Sequence, residues 1–340
     1  MLAERQALLV GATRRREEGI AAGWLAAVVL SSNSLAVRGR AVLREQAGMA
    51  QFSLPLKQAG FGKTSRRDLW WVQPLAVFLG LSAFVLYSTW AALQGVHYFA
   101  HLGAPTISIG SGLKSEAQYL SPMYSPVIFD SWKLSKPSGH AWFGPWPEWL
   151  PQTLAVIPLT PAFFVLWAPA GFRFTCYYYR GAYYKAFWAD PPACAVGEPR
   201  KTYLGEQRFP LIWQNIHRYF FYLAALFIVV LSYDAVISYW FKDAATGDGG
   251  FGIAVGSLVL TINPILLGGY TFGCHSLRHI IGGRHDCISE RAIQHACYRG
   301  VSCLNRRHML WAWMSLFWVG FTDFYIRMVS MGVITDWRLI

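Results

Sequence analysis

The stretch NPILLGGYTFGCHSLRHIIGGRHDCISERAIQHACYRGVSCLNRRHM, residues 263–309, decides how this chain is read. Its first part completes a hydrophobic run that begins near residue 251, and where the run ends the string GCHSLRH places Cys274, His275 and His279. Thiolate and imidazole donors this close together suit iron or zinc, and the apolar run before them puts them at a membrane boundary. A loop carrying Arg278, Arg284, Arg291, Arg299, Arg306 and Arg307 follows, and the next apolar run opens at His308. Apolar helices joined by a basic loop are the pattern of an integral membrane protein.

Composition agrees. Of the 340 residues, 54% are hydrophobic and 16% aromatic, and only 14% are charged, which is membrane composition. The net charge of +12 would suit a nucleic-acid binder if Lys and Arg shared a soluble face. They lie instead between long apolar runs, as in cytoplasmic loops, so nucleic acid is excluded as a partner. The six cysteines (176, 194, 274, 287, 297 and 303) fall in or beside segments that this pattern places on the cytoplasmic side. Metal ligands or buried thiols are expected there rather than disulfides.

Residues 1–48 read differently, being rich in Ala and Arg, and their apolar run at 19–30 falls short of the about 20 residues that cross a bilayer. Translation is expected to start at Met49, leaving 1–48 as upstream sequence or a disordered tail before a membrane domain over 49–340. The fold expected for that domain is an all-α bundle of five transmembrane helices, near 70–93, 153–174, 216–241, 251–273 and 309–332. A long loop over 97–150, rich in Gly, Pro, Ser and Trp, reads as an outer cap between the first two. The run YYYRGAYYKAFW at 177–188 reads as an amphipathic interfacial helix in the inner loop between the second and third. Pro158, Pro161 and Pro169 should kink the second span, and Asn263-Pro264 interrupts the fourth. Counting Lys and Arg sets the sides: the inner segments hold four, six and six, the outer ones three, one and one. That puts the N-terminus in and the C-terminus out.

This topology brings six residues to one depth. Cys176 ends span two, His217 begins span three, Cys274, His275 and His279 end span four, and His308 begins span five. On a helix His275 and His279 would face one way, with Cys274 about 100° round from His275. A set of two Cys and two His suits a Rieske-type [2Fe-2S] centre; facing His residues, such as His217 with His275, His279 or His308, would suit haem b, with the cysteines as bystanders. The plainer reading makes them buried thiols and interfacial imidazoles. Cys287, Cys297, Cys303, His285 and His295 have spacings too irregular for a recognised zinc site. A second polar layer lies deeper, with Asp234 in span three and Asp323, Tyr325 and Arg327 in span five. It reads as a structural Asp–Arg lock between those spans, or as a proton path or outer quinone pocket. Intramembrane charges and broken spans also admit a secondary transporter, against which stand the odd span count and the gathering of Cys and His at one edge.

The strings TCYYYR (175–180), PPACAV (191–196), HRYFFY (217–222), GCHSLRH (273–279), NRRHM (305–309) and TDFY (322–325) carry a resemblance. The chain resembles the large membrane subunit of actinobacterial-type succinate dehydrogenases over residues 51–337. The resemblance implies a multi-pass protein of the bacterial cytoplasmic (inner) membrane, in contact with membrane lipid, that anchors a flavoprotein subunit and an iron-sulfur subunit. It further implies that electrons from succinate reach a quinone, namely menaquinone, by way of a Rieske-type cluster. The carry-over falls first on Cys274, His275 and His279, then on Cys176, His217 and His308. Some relatives have Cys where this chain has Leu277 and Val127, which leaves the second thiolate ligand open. On this reading the subunit catalyses nothing alone, and its basic, Tyr-rich inner face is a docking surface for soluble partners.

Overall fold

The computed structural model describes residues 60–340 apart from 101–105, 109–113, 117, 136, 200–208, 210, 244–248, 284, 286 and 340. The expectations for residues 1–48 and for a start at Met49 fall outside the described residues. Gly60–Ile340 forms one compact unit built on eight α-helices: α1 (Val72–Gln94), α2 (Ala162–Thr175), α3 (Tyr177–Tyr183), α4 (His217–Ile237), α5 (Val255–Phe272), α6 (His275–Gly282), α7 (Ala292–Arg306) and α8 (His308–Ser330). A π-helical turn, Tyr184–Trp188, extends α3, and a 3-10 turn, Leu211–Ile216, leads into α4.

Among the described residues three segments are long and apolar enough to cross a bilayer: Val72–Gln94, Ile212–Ile237 and Val255–Phe272. Helix α8 matches α1 in length, at 23 residues, but carries Asp323 and Arg327. Helix α2 has only 14 residues. The expected second span therefore starts nine residues late. Residues 153–158 instead form a hairpin of β5 (Thr153–Leu154) and β6 (Ile157–Pro158), turning through Ala155 at φ 55°. Pro158 and Pro161 lack the N–H a helix interior needs, so the helix begins only where a proline is tolerated, with Pro161 at its N-cap.

Glycine permits close helix approaches. A Cβ on Gly171 of α2 would lie 2.2 Å from the Phe220 ring of α4, and one on Gly269 of α5 2.7 Å from the Trp311 indole of α8. Only a missing side chain allows such contact, the usual device where helices pack without water to drive them together.

The end of the bundle away from Cys274 is not all-helical as expected. Nine short strands occur among the described residues. One sheet, in the order β8-β7-β3-β2-β9, draws β2 (Thr106–Ser108) and β3 (Lys114–Glu116) from the long loop, β7 (Trp240–Asp243) and β8 (Gly249–Phe251) from the α4–α5 connection, and β9 (Asp336–Arg338) from the C-terminal segment. Strands β1 (Phe99–Ala100) and β4 (Tyr119–Leu120) pair separately. Loop backbone near a membrane must find partners within the protein, and here the connections pair with one another.

The same end explains the deep charges. The last carbonyls of α1 have no helical partners. Arg327 Nη2 and Tyr124 Oη donate to Ala91 O (3.0 and 2.8 Å), Thr160 Oγ1 to Ala92 O (2.5 Å), and Lys133 Nζ to Leu93 O and Gln94 O (3.1 and 3.0 Å). Two of the donors are cations, which also suit a helix C-terminus electrostatically. Arg327 Nη1 reaches Val96 O at 3.0 Å and its Nε pairs with Asp323 at 2.7 Å, both side chains being almost wholly buried. Asp323 accepts further from Tyr87 Oη (2.7 Å) and Ser121 Oγ. Asp234 accepts from Ser125 Oγ. Tyr325 donates to Asp336 Oδ1 (2.7 Å), which also receives the N–H of Gly256 in the first turn of α5 (3.1 Å). The Asp323–Arg327 pair joins α8 to α1 and the long loop, not spans three and five as expected. Asp234 makes its own contact with the loop.

Candidate metal centre

At the opposite end four helix termini each deliver one donor. Cys176 breaks the chain between α2 and α3 with extended backbone (φ −63°, ψ 130°), and His217 is the first residue of α4. Cys274 follows the end of α5 as the N-cap of α6, and His308 opens α8. The thiol of Cys274 accepts the Ser276 N–H at 3.4 Å, the part a capping side chain plays. Because Cys274 lies outside the helix, the expected 100° offset from His275 does not apply.

The donors meet as two pairs. His217 Nε2 lies 3.0 Å from Cys274 Sγ, and His308 Nε2 lies 3.5 Å from Cys176 Sγ. The Thr175 hydroxyl donates to Gly171 O (2.7 Å), so its oxygen accepts from His217 Nδ1 (2.7 Å). That tautomer leaves the Nε2 lone pair facing the thiol, as when the other ring nitrogen of a metal-binding imidazole donates to an oxygen that fixes its orientation. Each ring is also stacked, His217 on Phe172 at 4.7 Å and His308 on Tyr270 at 5.0 Å. His308 Nδ1 and the Tyr270 hydroxyl are buried without a hydrogen-bond partner among the described residues, and the Tyr270 hydroxyl reaches toward Cys176. Both cysteines belong to one buried cluster with Phe172, Tyr179 and Tyr270, and Leu277 packs against it. Val127 lies in a different core, with Tyr98 and Tyr124.

Burial holds the Cys274 sulfur in its neutral form. Burial pushes the Cys274 thiol up to about 12, against the pull of the Ser276 amide, so it keeps its proton unless a metal displaces it. Beside the pairs, Arg173 points its guanidinium over the Tyr270 ring (4.7 Å) and donates to Tyr179 Oη, Ala312 O and Ser315 Oγ (3.0, 3.2 and 2.9 Å). None of its partners among the described residues is a carboxylate, so its charge is held in the bundle without being neutralised.

A cavity of about 1260 Å³ opens beside this centre, lined by Cys176, His217, Cys274, His275 and His308 together with Trp70, Val77, Tyr177, Arg180 and Gln214. His279 is not among its lining residues. His275 and His279 are both exposed, their ring centroids 6.4 Å apart. Asp234, Asp323, Tyr325 and Arg327 lie at the other end of the bundle and contribute nothing here. Among the described residues no three of His, Cys, Asp and Glu converge as they would on a single ion. All six cysteines are unpaired; Cys194, Cys287, Cys297 and Cys303 are exposed, and Cys287 and Cys303 line a separate, shallower pocket with His295. Gln214, buried in the wall of the main cavity, was not singled out from sequence, because a neutral amide in a short turn carries no pattern.

Comparison with known proteins gives the family of the chain. The family model described as actinobacterial succinate dehydrogenase subunit SdhC matches residues 72–332. Among solved structures, a chain of the Mycobacterium smegmatis Sdh1 complex in the apo form is 42% identical, with a TM-score of 0.66, over 80% of this chain and 92% of that one. No curated protein matches. With apolar helices long enough to cross a bilayer and a family match over most of its length, this chain belongs to the membrane subunit family of actinobacterial succinate dehydrogenases.

Proposed function

We propose that this subunit delivers electrons from the soluble part of succinate dehydrogenase to a membrane quinone, menaquinone by resemblance, through a Rieske-type [2Fe-2S] centre held by Cys176, Cys274, His217 and His308. The observation that carries this reading is the meeting of two thiols and two imidazoles, as two Cys–His contacts, from four separate helix termini. A single structural ion takes three or four protein ligands, whereas a Rieske-type centre takes two thiolates at one iron and two imidazoles at the other; the donors here supply that number, and holding the centre would exchange the two Cys–His contacts for a Cys pair and a His pair. Such a centre, when bound, exchanges one electron at a potential raised by its imidazoles.

The chain's own residues prepare the site. Thr175 fixes the His217 tautomer, Phe172 and Tyr270 hold the two rings by stacking, and the aromatic cluster keeps water from the sulfurs. The adjoining cavity, walled by Trp70, Val77 and Tyr177, offers the flat apolar surface that a quinone ring requires. Haem b fits less well, because the Nε2 that would bind its iron faces a cysteine sulfur in each case, His217 on Cys274 and His308 on Cys176. A transporter is disfavoured because Asp323 and Arg327 are spent on each other and on helix capping.

The same pairing supports a crossing by α8 beside α1, α4 and α5. With their charges matched internally, Asp323 and Arg327 present none to lipid, so α8 can span. With the pass around α2 counted as the fifth, the excess of Lys and Arg at this end puts the Cys–His pairs at the cytoplasmic face with the N-terminus. The basic rim there, including Arg180, Lys185 and Arg218 at the cavity mouth, suits docking of the flavoprotein and iron-sulfur subunits. The test is Cys274→Ala in the assembled complex: quinone reduction is lost while succinate oxidation by a soluble dye is retained. Retained quinone reduction would remove the metal assignment.

A further inference from the structure

We infer that Gln214 recognises the quinone headgroup, its amide donating to a carbonyl of the oxidised form and accepting from a hydroxyl of the reduced form. This deepens the proposed quinone reduction and rests on it. Gln214 is 7% exposed and lines the cavity beside the Cys–His pairs. Neither its Nε2 nor its Oε1 has a hydrogen-bond partner among the described residues. A buried amide with both ends unpaired is costly and rare in folded proteins, and it becomes favourable when a ligand supplies the missing partners.

The setting selects the ligand. Gln214 sits in the 3-10 turn that leads into α4, three residues before His217, so the two side chains leave the turn along one edge. A molecule bonded to Gln214 in the cavity therefore lies beside the imidazole on the Cys274 thiol. Trp70, Pro74, Val77 and Met309 also line the cavity; they favour a flat apolar ring over a charged substrate. A primary amide is the neutral side chain that presents a donor pair and an acceptor in one plane. It serves quinone and quinol alike without changing its own protonation, as a site that binds substrate and releases product must.

The experiment uses the assembled complex and a short-chain menaquinone analogue. In Gln214→Leu the KM for the analogue rises at least tenfold, while succinate oxidation by a soluble dye, which does not pass through this cavity, stays at the wild-type level. The melting temperature is unchanged or higher, because the substitution removes two unsatisfied polar atoms. That sign separates the roles, since a structural amide would lower stability when lost. Gln214→Asn, which draws the amide back by one methylene, raises KM with assembly intact and gives the answer if the Leu variant does not assemble. An unchanged KM in these variants, or a rise matched by falls in melting temperature and dye activity, overturns the assignment. Absence of quinone reduction by the wild-type complex would overturn the proposed function, and this role with it.

Discussion

Replacing Arg327 with Met tests whether the deep charges are structural. The side chain is 2% exposed and performs three tasks: it neutralises Asp323 at 2.7 Å, caps Ala91 O at the end of α1, and holds Val96 O. Without it Asp323 keeps hydroxyl donors from Tyr87 and Ser121 but has no counter-charge. Removing one partner of a buried pair costs about 3–5 kcal/mol, and Val96 O, left without this donor while Ala91 O keeps Tyr124, adds about 1 kcal/mol. The expected loss is about 4–6 kcal/mol, which at about 2.1 cal/mol/K per residue lowers the melting temperature of this 340-residue subunit by roughly 6–8 °C. Adding Asp323→Asn removes the isolated carboxylate, so the double variant is more stable than Arg327→Met alone. Quinone turnover per folded complex stays near wild type in both. If Arg327→Met loses under about 1 kcal/mol while turnover collapses, the capping argument is refuted and a proton path takes its place.

Other expectations follow from the opposite end. His279→Ala leaves quinone reduction unchanged, because His279 does not line the cavity, whereas His217→Ala abolishes it; steady-state assays of the two variants check this. Arg173→Met removes an unneutralised positive charge beside the Cys–His pairs and disfavours the added electron. The midpoint potential of the centre falls by about 59 mV, a tenfold change for one electron, while Arg173→Lys falls by less; a redox titration followed by EPR decides. Gly171→Leu forces apart α2 and α4, where Phe220 already fills the place of a Cβ, and lowers the yield of assembled complex in detergent.

Much of the centre was legible in the sequence because hydropathy fixes where helices end. Cys176, His217, Cys274 and His308 each stand at such an end, so placing the spans placed them at one depth, and the structure brings their side chains into contact. His279 was grouped with them by an i, i+4 spacing that assumed an unbroken helix. Cys274 is instead a cap, and α6 starts afresh after it, turning His279 away from the cavity. The late start of α2 was hidden because apolar composition over 153–161 looks the same in a hairpin as in a span; two prolines decided it. The five-stranded sheet was not legible at all, since it joins segments as distant as Thr106–Ser108 and Asp336–Arg338 with only a few residues each. The partner of Asp323 was legible as Arg327 four residues on, but the capping of α1 depends on chain positions more than 230 residues apart.

The most direct test is EPR spectroscopy with iron and sulfide analysis of the purified complex, wild type beside Cys274→Ala. The account predicts a Rieske-type signal in the reduced wild type, beyond the signals of the iron-sulfur subunit, with two extra irons per complex. In the variant that signal and those two irons vanish while the others remain. An unaltered spectrum in the variant, or sharp visible bands of reduced haem in place of the signal, would contradict it.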